Sequence, residues 1–251
     1  MDPVCFTVGG RPIYWYGVWM ALAFAAAVTH WNVLARRQGR PPGFGSELAF
    51  WIMLTGILGA RVLYVISEWP QYAGQPLEML RVDRGGLIFY GGFLGAILAV
   101  AWRARRNREP FWSLADFSIS AVPLGHLFGR IGCFMNGCCY GSVCSLPWAT
   151  WAEDARRHPV QLYEAAANLA IYLVLLRRML RPGPGEPGRV TGLYLLLYPA
   201  ARFIFEFLRG DERLAWGPLT AAQWLSLGLM LLGAALWRGL PQRLCRPAPA
   251  P

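Results

Sequence analysis

Lysine is missing altogether, and all 24 basic residues are arginine. Charge of either sign is scarce. Charged residues make up 15% of the 251-residue chain, where soluble domains carry about 25%. That shortage argues against an ordinary soluble globular domain. The net charge is still +10. The arginines lie between apolar segments and not on one polar face, which argues against a nucleic-acid partner. No cationic stretch precedes the first apolar run, which opens near Tyr14 with only Arg11 before it. That run therefore reads as a retained span and not as a cleavable leader. No internal repeat is visible, which counts against a transporter built from repeated halves.

What is present is apolar and aromatic. Hydrophobic residues make up 55% of the chain, with 12 Trp, 10 Tyr and 13 Phe, a supply that suits aromatic belts at two membrane interfaces. Seven apolar segments approach the ~20 residues needed to cross ~30 Å of hydrocarbon. They run over 13–35, 48–67, 86–102, 114–135, 160–176, 192–208 and 221–237. Arginines cluster after the first, third, fifth and seventh segments, at Arg36/Arg37/Arg40, Arg103/Arg105/Arg106/Arg108, Arg177/Arg178/Arg181/Arg189 and Arg238/Arg243/Arg246. Most acidic residues fall on the other side. By the positive-inside rule the N-terminus is periplasmic and the C-terminus cytoplasmic. The expectation is an all-α integral membrane protein with seven transmembrane helices. Residues 1–245 form one transmembrane domain, and 246–251 form a disordered Pro/Ala-rich tail. The Pro/Gly-rich stretch at 181–188 reads as an irregular cytoplasmic linker.

Arg61, Arg130, Glu164, Arg202 and Glu206 fall within or at the edge of these segments. An arginine there costs about 2.5–3.5 kcal/mol on insertion scales, so it needs a reason. Arg202 and Glu206 are four residues apart on one helix and could be a purely structural pair. Three guanidiniums against two carboxylates would leave a positive surplus. Arginine holds phosphate through two parallel hydrogen bonds, and the anion available in a membrane is a phospholipid headgroup. Glycines punctuate the Arg130 region at Gly129, Gly132, Gly137 and Gly141, which reads as irregular backbone lining a cavity. Gly91 and Gly95 read as close helix packing.

The run Gly-Arg-Ile-Gly-x-Phe-Met-Asn-Gly at 129–137 resembles the signature of bacterial prolipoprotein diacylglyceryl transferases. The resemblance extends along most of the chain. It includes Trp15-Tyr16-Gly17, Gly59-Ala60-Arg61, Gly85-Gly86-Leu87-Ile88-Phe89-Tyr90-Gly91-Gly92 and Arg157-His158-Pro159-Val160-Gln161-Leu162-Tyr163-Glu164. Tyr198, Arg202-Phe203, Glu206-Phe207-x-Arg209 and Gln223 continue it. It implies a multi-pass enzyme of the bacterial inner membrane. Such an enzyme moves diacylglycerol from phosphatidylglycerol to the lipobox cysteine thiol of a prolipoprotein signal peptide, the first step of lipoprotein maturation, with no cofactor. By that likeness Arg130 and Arg202 handle the phosphate and Glu206 orients Arg202. Tyr90 joins the catalytic set, and Arg61, Tyr16, Tyr163 and Gly129 contact phosphatidylglycerol.

Three positions depart from the family pattern. Tyr90 replaces a usual His, Cys133 a usual Asn and Cys138 a usual Glu. The missing His and Glu are the natural acceptors of the thiol proton. Two readings follow: a working transferase in which Tyr90 and water, or an arginine-lowered substrate pKa, suffice; or a paralogue with changed lipid chemistry. The thiols at Cys133, Cys138, Cys139 and Cys144 carry alternatives of their own. Their spacing is not that of a structural zinc site, so no metal is expected. A disulfide from Cys144 to Cys138 or Cys139 would staple the outer loop. A thiol beside Arg130 would be reactive and could carry the lipid. A membrane thiol–disulfide protein using Cys138/Cys139, and a lipid-binding protein without turnover, are the competing functions. His126, one turn before Arg130, is either a packing residue or a substitute base, and His158 shapes the outer loop.

Overall fold

The computed structural model describes residues 3–74, 76–82, 85–181, 186–211 and 215–239. The tail expected at 246–251, Cys245 and most of the expected linker lie outside the described residues. The chain divides into two compact units, Met1–Ala27 with Asp116–Pro251, and Val28–Ala115. Helix α1 (Trp15–Arg37) supplies residues to both.

Helices dominate, but the all-α expectation needs correcting. Among the described residues there are three two-stranded antiparallel hairpins, β1 (Val4–Val8) with β2 (Arg11–Tyr14), β3 (Thr150–Ala152) with β4 (Ala155–Arg157), and β5 (Ala215–Trp216) with β6 (Leu219–Thr220). The first turns at Gly9 and Gly10, both with positive φ (56° and 76°). That is the backbone a two-residue hairpin turn requires and that only glycine adopts readily. The strands are short and were masked in the sequence by the apolar runs beside them.

The Val28–Ala115 unit holds the rest of α1, α2 (Phe44–Ser67), the single turn α3 (Trp69–Tyr72), a 3₁₀ turn at Glu78–Leu80, α4 (Phe89–Arg106) and the start of α5 (Phe111–Ile119). Helices α2 and α4 touch backbone to backbone. A Cβ on Gly59 would collide with the Gly91 carbonyl, one on Gly91 with the Gly59 carbonyl, and one on Gly95 with the Thr55 carbonyl. The close packing expected at Gly91 and Gly95 is what the structure has. The outer faces of the pair stay bare: Phe50, Ile57, Leu58, Val62, Leu94 and Leu98 are all exposed. Exposed apolar surface on this scale belongs against lipid or a partner.

The other unit contains α6 (Val122–Met135), α7 (Val160–Met179), α8 (Arg189–Glu206) and α9 (Ala221–Trp237). Its apolar core centres on Ile171, Leu175, Val190 and Tyr194. Gly192 and Gly233 let α8 and α9 approach, since a Cβ on either would come within 2.9 Å of the other's carbonyl oxygen. The expected segment 114–135 is broken between α5 and α6. Pro123, in the first turn of α6, has no N–H to continue the preceding helix. Buried Asp116, a membrane-segment acid that the sequence reading passed over, caps α8. It accepts hydrogen bonds from Gly188 N, Thr191 N and Thr191 Oγ1, each at 2.7 Å.

Among the described residues, two helices, Trp15–Arg37 and Phe44–Ser67, are long and apolar enough to cross a membrane by themselves.

Three stability outcomes follow. Gly95→Ala should destabilise by about 2 kcal/mol through overpacking. Gly125→Ala, whose Cβ would meet nothing within 4 Å, should stay within about 0.5 kcal/mol of the parent. Equal shifts of the thermal transition in detergent would refute the close-contact argument. Asp116→Ala should cost about 2 kcal/mol by unpairing the α8 N-terminus, read in the same assay.

Candidate active site

Three helices contribute to one line of ionic contacts, and a hydrogen bond extends it to a fourth. Arg130 on α6 places Nε 2.5 Å from Glu164 Oε2 on α7. Glu164 Oε1 lies 3.6 Å from Arg202 Nη1 on α8. Arg202 also pairs with Glu206, one helical turn further on. Glu206 accepts a hydrogen bond from Thr220 Oγ1 at 2.8 Å. Thr220 is the N-cap of α9 and shares a reciprocal capping box with Gln223. The network therefore fastens the start of α9 to the end of α8 by the same hydroxyl that caps the helix. Arg130 lies beside Tyr198 and interacts with it electrostatically; the Tyr198 ring stacks on Tyr194 at 5.4 Å and lies 4.5 Å from His126.

Burial is graded along this line. The glutamate side chains are 5% and 1% exposed, the arginine side chains 21% and 19%. The glutamates form the floor and the arginines the more accessible layer. The positive surplus expected from the sequence does not arise within this network, where two arginines face two glutamates. Its accessible face is nonetheless cationic, and Arg130 meets Glu164 as an ion pair without hydrogen-bond alignment. Gln161 Oε1 and Gln223 Nε2 are buried without a hydrogen-bond partner among the described residues. Unpaired buried polar atoms of this kind are expected where a polar ligand enters.

The structure thus brings Arg130, Arg202 and Glu206 together. Tyr163 precedes Glu164, but its hydroxyl accepts a 2.7 Å bond from Trp148 Nε1. Tyr16 lines an open, mainly apolar cavity of about 510 Å³ with Pro12, Ile13, Tyr14, Gly17 and Asn136. Gly129 has only Met20 Sδ, at 4.0 Å, near where a Cβ would stand. Arg61 and Tyr90 belong to the other unit. Arg61 is buried there and donates to four carbonyls: Nε to Met79, Nη1 to Gly85 and Gly86, and Nη2 to Glu78, at 2.7–3.1 Å. It holds the loop between α3 and α4. Tyr90 is exposed in the first turn of α4.

At the sequence level Glu164 was counted as a membrane carboxylate set against the arginines but given no specific task. Tyr198 and Gln161 were marked only as members of the family motifs, and nothing marks Thr220.

The irregular backbone expected over 129–141 begins only at Asn136, because Gly129 and Gly132 are helical. Gly132 lets α6 pass against Tyr16 and Trp19. Beyond Met135 the loop is strapped down. Gly141 N donates to His158 O at 2.9 Å, Ser142 N to Leu208 O at 2.8 Å, and Gly210 N to Tyr140 O at 3.2 Å. Cys5, Cys133, Cys138, Cys139 and Cys144 are all free thiols, so the bridge expected from Cys144 is not formed. The sulfurs of Cys133, Cys138 and Cys139 gather instead. An S–H bond from Cys133 pulls the Cys139 thiol below its ordinary range; burial opposes this, and Arg209 and Arg130 assist it. Burial and the neighbouring Cys139 push the Cys138 thiol up.

The fold and site define a mostly helical membrane protein with a charged network at the heart of a four-helix arrangement. A sequence model of the prolipoprotein diacylglyceryl transferase family matches residues 3–238. The chain belongs to that family. It is 36% identical over 250 residues to the phosphatidylglycerol–prolipoprotein diacylglyceryl transferase of Pseudomonas paraeruginosa, covering 94% of this chain and 92% of the relative. The proteins of the same name from Synechocystis sp. and Aeromonas hydrophila are each 34% identical, over 257 and 249 residues. The first pairing covers 96% of this chain and 90% of the relative, the second 94% and 89%.

Glu164→Ala should leave two poorly solvated guanidiniums without their shared carboxylate and destabilise the protein by about 3 kcal/mol. An unchanged thermal transition in detergent would refute the bridging role.

Proposed function

We propose that this chain transfers the diacylglyceryl group of phosphatidylglycerol to the lipobox cysteine thiol of a prolipoprotein. It does so from a bacterial inner membrane that it crosses seven times, with its N-terminus periplasmic. The observation that carries the reading is the pair Arg130 and Arg202, held side by side by buried carboxylates in a chain of this family. The substrate thiol passes its proton to water, and its sulfur forms a bond to the glyceryl carbon. The bond from that carbon to the phosphate oxygen breaks, and glycerol phosphate leaves. Negative charge grows on the departing phosphate. Two pre-placed guanidiniums stabilise that charge without reorganising at the moment of reaction.

Glu164 then has a definite task. With Glu206 it balances the two arginines while no phosphate is present, and an arriving phosphate competes with it for them. Glu206, fixed by Thr220, keeps Arg202 in place. Tyr16 and Tyr163 position the lipid, with Gly129 leaving room on α6. Arg61 acts through its bonds to the carbonyls of Glu78, Met79, Gly85 and Gly86, and Tyr90 serves in proton handling. Lowering of the substrate thiol's pKa by the arginines reduces the demand on any base.

Lipid vesicles containing the purified chain should transfer labelled diacylglycerol to a lipobox peptide. Arg130→Ala should reduce the rate by roughly 100-fold or more with the thermal transition retained. Folded parent protein that turns over no phosphatidylglycerol would overturn the reading.

A further inference from the structure

Helix α6 ends in a specific geometry. Gly137 N donates to Phe134 O and Cys138 N donates to Cys133 O, each at 3.1 Å. Gly137 takes φ 72°. This is a Schellman ending, with Asn136 as C-cap and Gly137 in the left-handed position. The motif brings the side chain three residues before the cap against the one two residues after it, normally as a hydrophobic contact. Here both residues are cysteine. Cys138 Sγ also approaches Cys133 O at 3.7 Å. The next residue, Cys139, holds φ 62°, a conformation that costs a side-chain-bearing residue about 1–2 kcal/mol. In that conformation its sulfur joins the other two, and all three lie within 4.8 Å of one another.

We propose that Cys133, Cys138 and Cys139 form a three-thiolate binding site for one thiophilic d10 cation, Cu(I) or Zn(II). Thiolate sets select these ions. A zinc–sulfur bond of about 2.3 Å puts two sulfurs of a tetrahedral site about 3.8 Å apart, so small side-chain adjustments close the triangle around an ion. Three thiolates complete a trigonal Cu(I) site. Zn(II) takes an exogenous fourth ligand. Each metal–sulfur bond forms as the thiol proton passes to solvent, and no electron is transferred.

The surroundings suit the charge and hold the frame. Three thiolates and one such cation carry a net negative charge, and Arg130 and Arg209 both interact electrostatically with Cys139. Gln161, one turn before Glu164 on α7, donates to Cys138 O at 2.6 Å. That bond and the strapping of residues 140–142 fix the loop on both sides of the cluster. The cluster escapes the usual zinc spacing rule because a helix end, and not a zinc knuckle, assembles it. The site requires nothing of the transfer reaction.

The test uses the whole chain in detergent micelles, reduced and kept anaerobic. Zn(II) and Cu(I) are titrated separately against a chromophoric chelator, with proton release recorded. One ion of at least one kind should bind per chain. Cys133→Ser, Cys138→Ser and Cys139→Ser should each weaken it at least about tenfold, while Cys5→Ser and Cys144→Ser leave it unchanged. Thermal transitions establish that each variant is folded, and Cys133→Ala replaces Cys133→Ser if the hydroxyl disturbs α6. Retention of neither ion more tightly than by the folded triple serine variant overturns the site. So does equal loss on substituting Cys144.

Discussion

The buried carboxylate of Glu164 is the constraint on which the rest of the helical core depends. Two arginines in the interior of a membrane protein are each costly, and neither can be placed there without a counter-charge. Glu164 serves both, Arg130 on the preceding helix and Arg202 on the following one. Glu206 supports the second arginine and passes the constraint through Thr220 to the first turn of α9. The position of four helices is thereby tied to the position of two guanidiniums. The network is balanced as it stands. On the proposed function an arriving phosphate competes with the carboxylate, because both present oxygens to the same forked donor.

Glycine sets the remaining distances. In the Val28–Ala115 unit the contacts of Gly59, Gly91 and Gly95 bring α2 and α4 to backbone contact, and in the other unit Gly192 and Gly233 do the same for α8 and α9. Gly132 brings α6 to Tyr16 and Trp19, beside the residues that carry the charge. Gly137 has a different use, since its positive φ reverses the chain at the end of α6. That single turn separates the arginine-bearing half of the motif from its thiol-bearing half and gathers the thiols at the end of the helix that carries Arg130.

Much of the site was legible in advance because an arginine or glutamate in an apolar run is conspicuous. Arg130, Arg202, Glu206 and Glu164 all stood out on that ground, and the family motifs placed them in a common context. Arg61 stood out equally, yet in the structure its N–H groups go to the carbonyls of one loop. A membrane arginine announces that it has partners but not which ones. Tyr198 and Gln161 were marked only as members of the family motifs, and Thr220 left no trace, because tyrosine, threonine and glutamine are unremarkable near helix ends. The thiols misled in another way. A periplasmic location allowed a bridge to Cys144 and the spacing argued against a metal, whereas the turn at Gly137 directs Cys133 and Cys138 together.

Composition and periodicity alone determined that this chain is mostly helical, apolar and built around a few interior charges. Those properties follow from local preferences and from the cost of charge in hydrocarbon. The family likeness was also readable, since it resides in order and spacing. Only the tertiary structure decided which carboxylate meets which arginine, that the network is neutral, and that three cysteines share one corner. Each of these depends on where helix axes cross and where a helix ends. Those positions are set by side-chain-free contacts and a left-handed turn whose consequences lie many residues away.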